Sequence, residues 1–432
     1  MKFFINKTDK LSGEICIPGN KSGTARALIF GAMGDGPTTV KNPLHNIDTY
    51  SIVDCLKQFG IEFDMSDNDK WIVYGKGGKL EQPKNVLDVG NSGTGLYAII
   101  ALASMFPGCN VISGDYQICY RTAGPEIDGL NAMGAQIKST RDNGCAPLFV
   151  KGGLKGGKCS MPGHNSQWFN TGMLLCCALS ENDSEIVIEG TPYEKPYIDM
   201  SIGMLKQVGI QIENHDYHRY VIKGKQKVKA TDFVIPGDWG TSGYPTIATA
   251  ITNSEAIFHN LDPNTYAGEK QNIQVLRNAG CDVEIIGDGI RVKGTDHLVG
   301  QEINCSDTPD AVPIYAVLGL ACKEGKTVLN NIAASRLKET DRTHTIVTEL
   351  TKMGGKFEEE ENRLTIYPSK LHGTFIDGHH DHRIVMAASV AALIADGPSI
   401  IDNAEYHGVS YPEFYDHLKK LGANIEKLDV AK

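Results

Sequence analysis

The chain has 432 residues, 41% of them hydrophobic and 22% charged, with a formal net charge of −10. That length holds two or three domains with a core in each, and the negative balance excludes a general nucleic-acid or membrane-surface binder. No apolar run reaches membrane-helix length, and MKFFINKTDK lacks a signal-peptide core. The eleven cysteines include no C-x-x-C pair, so buried free thiols in the cytoplasm are expected.

Six polar turns open six similar stretches of sequence. In chain order they read PGNKSGTAR, VGNSGTG, PGHNSQW, PGDWGTSGY, SDTPDAVP and DGHHDHR. Each leads into an apolar helix, such as ALIFGAMGDG or IVMAASVAALIADG, and then a β-branched strand, such as TTVKN or EIVIEG. A loop and an amphipathic helix come next, and that helix closes on Leu-x-x-x-Gly. The leucines are Leu56, Leu130, Leu205, Leu276, Leu350 and Leu418. The glycines are Gly60, Gly134, Gly209, Gly280, Gly354 and Gly422, spaced 68 to 75 residues apart. A period this long marks one supersecondary unit copied six times. Strands of period two alternating with helices make the fold α/β (α+β).

Ser, Thr, Asp and Asn in the six turns are ordinary N-caps. Lys21, Arg26 and Arg383 are not, because a cation at a helix N-terminus opposes the macrodipole. An anion between such ends removes the conflict, since helix N–H groups and side-chain cations bind anions together. GNKSG lacks the Gly-Lys-Ser/Thr order of a nucleotide-binding P-loop. ASRLKETDR (334–342) is the densest polar cluster; helical spacing puts Lys338 and Arg342 on one face with Glu339 beside them, which also describes a plain solvated face. HHDHR (379–383) offers metal-ligand types, but neighbours in one turn rarely share an ion, and no metal is expected.

PGNKSGTAR, GNSGTG, NSQ, KPYIDM, PDAVP, RLKETDR and DHR, in this order, resemble the EPSP synthase (3-phosphoshikimate 1-carboxyvinyltransferase) group of the enolpyruvyl transferase family. The resemblance runs from Leu11 to Gly422. It implies a two-domain inside-out α/β barrel of six βαβαββ repeats, three per domain. One domain would comprise 1–18 with 229–432 and the other 19–228, with the active site in the cleft between them.

The resemblance also implies transfer of the carboxyvinyl group of phosphoenolpyruvate to the 5-hydroxyl of shikimate 3-phosphate, by a monomer without metal or organic cofactor. Lys21, Gly93, Arg121, Gln167, Arg342 and Arg383 match the phosphoenolpyruvate positions. Ser22, Arg26, Asn165, Ser166, Gln167, Tyr197, Asp310 and Lys338 match the acceptor positions. Lys21, Asp310 and Glu339 match the catalytic ones, with Asp310 a candidate base at the hydroxyl and Glu339 a proton shuttle at the methylene carbon.

Several positions depart from the family pattern. Val409 replaces a lysine, Tyr97 an arginine, and Tyr116 the loop cysteine of the related UDP-N-acetylglucosamine enzyme. Asn165 replaces a serine, AGE (267–269) replaces Gln-Gly-Asp, and Glu194 stands where a small hydroxyl residue helps hold the acceptor phosphate. Beside the shikimate reading, Glu194 and Asn165 leave open a paralogue with an unphosphorylated cyclic or sugar-like acceptor. A non-catalytic binder of the same fold is the third reading.

Overall fold

A computed structural model describes residues 1–428. The chain forms two compact units: Gly19–Pro236, and Met1–Pro18 together with the chain from Gly237 onward. Unit 19–236 contains six helices: α1 (Lys21–Met33), α2 (Ile47–Gln58), α3 (Gly93–Ser104), α4 (Gly124–Ala132), α5 (Gly172–Leu179) and α6 (Lys195–Gln207). The other unit contains α7 (Trp239–Ile251), α8 (Gln271–Asn278), α9 (Val312–Ala321), α10 (Arg342–Lys352), α11 (His382–Ala392) and α12 (Phe414–Lys420). Odd-numbered helices are apolar on nearly every side and are buried along almost their whole length. A helix without a polar face can only sit inside. Even-numbered helices bury one stripe, and each unit has its own hydrophobic core.

Each unit carries three four-stranded sheets of one pattern: a parallel pair extended by two antiparallel strands. In one, Leu87–Asp88 runs parallel to Cys109–Ser113, which pairs antiparallel with Leu148–Lys151 and that with Gln136–Ser139. Two first strands are exchanged. Ser12–Cys16 precedes α1 in the chain but pairs with Glu255–His259, whereas Phe233–Val234 precedes α7 but pairs with Val40 and Lys41. Residues 229–236 therefore belong with unit 19–236, and the boundary falls after Pro236 rather than after 228. The N-terminal strand Lys2–Ile5 completes the last sheet, between Ser399–Ile401 and Ile425–Leu428.

The Leu-x-x-x-Gly repeat is a helix-ending device. All six glycines have positive φ, from 83° to 109°, and all six leucines are fully buried. The residue after each glycine donates its N–H to the leucine carbonyl, as Ile61 does to Leu56 at 3.1 Å and Cys281 to Leu276 at 3.0 Å. This six-to-one bond with a left-handed C′ residue is the Schellman motif. At Gly280 a methyl group has room, its nearest neighbours being 3.5 Å away, so Gly280→Ala isolates the backbone strain. It is expected to lower unfolding stability by about 1–2 kcal/mol with unchanged kinetics, read from the urea midpoint; an unmoved midpoint would refute the assignment.

Candidate active site: two clusters at inner-helix N-termini

In unit 19–236 the N-terminal turns of α1, α3 and α5 gather the polar residues. Asn20 caps α1, accepting from Gly23 N at 2.6 Å, and thereby sets Lys21 in the first turn. Lys21 is held by an ion pair to the buried Asp48 at 3.0 Å. Ser92 caps α3 through Gly95 N at 3.0 Å. The guanidinium of Arg121 lies so close to Gly93 that a β-carbon there would stand 2.3 Å from Nη1. Any side chain at 93 displaces it. Nη2 of Arg121 donates to Gln167 Oε1 at 3.0 Å, and Asn165 Oδ1 accepts from Gln167 N at 3.1 Å, orienting the short helical turn 166–168.

Arg26 is buried and directed inward. Its Nε donates to Ser201 Oγ at 2.7 Å, Nη1 to the Ser22 carbonyl at 3.0 Å and Nη2 to Asn170 Oδ1 at 3.1 Å. Burial pulls its pKa down to about 10, so it stays charged at neutral pH. Asn170 donates to Ser166 Oγ at 2.9 Å, and the half-buried Tyr197 accepts from Ser201 through its carbonyl at 3.0 Å. Glu194 closes this network. Fully buried, with φ +57°, it accepts from both Ser166 N (3.0 Å) and Ser166 Oγ (3.1 Å) through one oxygen. The carboxylate thus engages both donors of Ser166.

Tyr97, in place of an arginine, is buried and donates to the Thr122 carbonyl at 3.2 Å; burial pushes its phenol up to about 12. Nearby on α4, Glu126 is fully buried with neither carboxylate oxygen hydrogen-bonded. Burial raises its pKa well above the ordinary 4.5. The folded protein then holds a proton that the unfolded chain releases above pH 4.5, so stability falls as pH rises from there toward the folded-state pKa. Glu126→Gln is expected to remove this slope, which for one proton is at most about 1.4 kcal/mol per pH unit. Urea midpoints of both proteins between pH 4.5 and 8 measure it. A constant difference across that range would exclude the buried acid.

The second cluster lies in the other unit, around Arg342 at the start of α10. Its guanidinium is 1% exposed and meets three carboxylates: Nε donates to Asp381 at 2.9 Å, Nη1 to Asp310 at 2.8 Å and Nη2 to Glu339. Burial opposes its charge, but Asp381, Glu339 and Asp310 outweigh that and hold its pKa above the ordinary arginine value. Asp310 also has Arg383 Nη2 at 3.4 Å and Lys338 Nζ at 3.9 Å. Burial raises its pKa, yet Arg342, Lys338 and Arg383 together hold the carboxyl far below the usual range. Asp381 caps α11 by accepting from Arg383 N at 2.9 Å, and it also takes the Thr340 hydroxyl at 3.0 Å.

Lys338 and Arg342 do not share a helix face. A short helical turn ends at Leu337 and α10 begins at Arg342, so an irregular link brings both to Asp310. Val409 is buried at the end of a helical turn, Ala404–Val409, and presents no cation. The buried Glu269 of AGE lies in the turn Gly268–Lys270, and Tyr116 is exposed. His379 Nε2 donates to the buried Glu349 carboxylate at 2.8 Å, and His380 packs edge-on against Tyr406. Among the described residues no three His, Cys, Asp or Glu side chains group as a metal site. Asp48, Asn170, Ser201 and Asp381 hold expected site residues, and Thr340 holds Asp381 in turn; none of the five was foreseen. Of these, Thr340 and Asp381 alone had a signal, their places in RLKETDR and DHR.

Each unit thus presents cations and hydrogen-bond donors at the N-termini of its inner helices, the equipment of an enzyme handling small anionic substrates. Solved structures share this architecture: EPSP synthase from Acinetobacter baumannii superposes with a TM-score of 0.81 at 27% identity, covering 98% of this chain and 99% of that one. The EPSP synthase (3-phosphoshikimate 1-carboxyvinyltransferase) family model matches residues 5–418. A 3-phosphoshikimate 1-carboxyvinyltransferase from Acetivibrio thermocellus is 39% identical over 419 residues, 97% of this chain and 98% of the relative. One from Methanococcus maripaludis is 37% identical over 428 residues, 98% and 99% of the two chains. The chain belongs to the EPSP synthase family.

Proposed function

We propose that the protein transfers the carboxyvinyl group of phosphoenolpyruvate to the 5-hydroxyl of shikimate 3-phosphate and releases inorganic phosphate, acting as a cytoplasmic monomer. The observation that carries this reading is Arg342, whose buried guanidinium fixes Asp310 and Glu339 in one place beside Arg383 and Lys338. That arrangement supplies cations for a doubly anionic substrate together with two carboxylates for proton transfer.

In the proposed reaction the acceptor oxygen attacks C2 of phosphoenolpyruvate while a proton adds to its methylene carbon. The tetrahedral intermediate then loses phosphate and a methyl proton, restoring the vinyl group. Lys21, Arg121 with Gln167, Arg342 and Arg383 hold the phosphate and carboxylate. Gly93 keeps Arg121 in reach, and Ser22, Asn165, Ser166, Tyr197 and Lys338 orient the acceptor. Arg26 supports them from beneath. Asp310 is a weak base while three cations face it; an incoming anion neutralises part of that charge and raises its basicity. Base and substrate are thereby matched.

Phosphate release from phosphoenolpyruvate with shikimate 3-phosphate tests the reading, and robust turnover supports it. Glu194 favours a second reading, since it already occupies Ser166 N and Oγ. If phosphoenolpyruvate binds but only unphosphorylated acceptors turn over, that second reading replaces the first. Binding of neither substrate would defeat both.

A further inference from the structure

The loop that enters α11 is built on a turn that its residues do not favour. Asp381 N donates to the Gly378 carbonyl at 2.9 Å, and the two residues between them, His379 and His380, have φ of +49° and +53°. Positive φ at both central positions is the type I′ form, which Gly, Asn and Asp dominate. Two successive histidines there carry backbone strain, and such a conformation persists only where its surroundings impose it. Gly378 is held closely as well: a β-carbon there would stand 2.4 Å from Val385 Cγ2 and 2.6 Å from the Asp402 carbonyl oxygen. The turn delivers the chain to Asp381 and Arg383, so its shape decides where both are placed.

Glu349, on α10, imposes that shape. Its carboxylate is 1% exposed and accepts from His379 Nε2 at 2.8 Å through one oxygen and from Asp377 N at 3.1 Å through the other. Lys352 Nζ lies 2.7 Å from each oxygen and is itself 44% exposed. Asp377 in turn accepts from His379 N and Asn403 Nδ2, each at 2.8 Å. Glu349 follows Arg342 by seven residues, two turns of α10, which puts both on one face. That face grips the entry to α11 at two points: Arg342 holds Asp381, and Glu349 holds the turn before it. An Asn-Gly turn forms readily by itself; with His-His in its place, the turn depends on Glu349.

We propose, on the reading of the phosphoenolpyruvate clamp given above, that Glu349 and His379 are positioning residues for it. They fix the turn 378–381, the turn sets Asp381, and Asp381 sets Arg342 and Arg383. Neither residue has a part in the proton transfers.

Two variants test this. Glu349→Gln removes the charge and one acceptor oxygen, while Lys352 can turn to water. His379→Gly removes the side-chain bond and relieves the strain, because glycine adopts positive φ freely. Each is expected to raise KM for phosphoenolpyruvate about tenfold and to lower kcat with it, leaving KM for shikimate 3-phosphate unchanged. His379→Gly is expected to unfold at the parent's urea midpoint, which separates lost positioning from lost stability. Hydrogen exchange reads the turn without any substrate. The amides of Asp381 and Arg383, bonded to the Gly378 carbonyl and to Asp381 Oδ1, are expected to exchange about tenfold faster in both variants. Parent-like exchange in both overturns the positioning whatever the reaction. Equal rises in the two KM values, or losses that track a lowered urea midpoint, make Glu349 a brace of the whole unit and overturn it too. Faster exchange in the variants of a parent without turnover supports the placement of Asp381 and Arg383 and defeats the shikimate reading instead.

Discussion

Asp381→Asn is expected to reduce turnover about a hundredfold and to raise KM for phosphoenolpyruvate while leaving that for shikimate 3-phosphate unchanged. Asp381 is fully buried, so its effect passes through other groups. One of its oxygens orients Arg342 and Thr340, and the other caps α11 at Arg383 N. Two arginines assigned to the same substrate therefore depend on one carboxylate. Asparagine keeps the shape but replaces one acceptor oxygen with an amide that repels the guanidinium, and a shift of about 1 Å in a clamp costs about that factor. Asp381→Ala removes the partner outright and leaves a buried charge with less compensation, a loss of about 3–5 kcal/mol of stability. Steady-state kinetics with each substrate varied in turn decides the matter. A loss shared equally between the two KM values points to general loosening of the unit and defeats the positioning role.

The periodic features were legible because they repeat. Six buried leucines and six left-handed glycines recur with the same hydrogen bond, and each apolar helix is buried because no face of it is polar. The exchange of first strands was not legible from composition. Ser12–Cys16 and Phe233–Val234 each carry the pattern of a strand beside the helix that follows, and nothing local says that their partners are more than 190 residues away. Register between distant strands is a property of the closed sheet, not of either strand.

The candidate site was legible where charge conflicted with helix electrostatics, at Lys21 and Arg383, and where motifs pointed to residues that the fold gathers, at Asp310, Glu339 and Arg342. Its supports were harder to see. Asp48 reads as a helix-start acid, and Ser201 and Asn170 read as ordinary polar residues, until Lys21 and Arg26 are seen to end on them. Glu194 shows the limit most plainly. In sequence it is only a carboxylate beside an expected anion position; that it is buried and takes both donors of Ser166 is decided by tertiary packing, which no local pattern records.

Glu339→Gln is expected to lower kcat by about 10² to 10⁴, the contribution of a positioned acid–base group, with KM for phosphoenolpyruvate changed by no more than about threefold. The structure makes this a demanding test, because Glu339 contacts Arg342 and two roles are therefore possible for it. If it only steadies Arg342, its loss loosens the phosphoenolpyruvate clamp as Asp381→Asn does, and KM rises together with the fall in kcat. A proton donor to the methylene carbon acts only in the transition state, so its loss falls on kcat. Asp310 and Asp381 still hold Arg342 in the variant, through Nη1 and Nε, so the clamp persists while the proton is withheld. Deuterium uptake into the phosphoenolpyruvate methylene group from heavy water should fall in step with kcat. Uptake at the parent rate, with raised KM, would leave Glu339 as a brace for Arg342 and assign the methylene proton to Lys21.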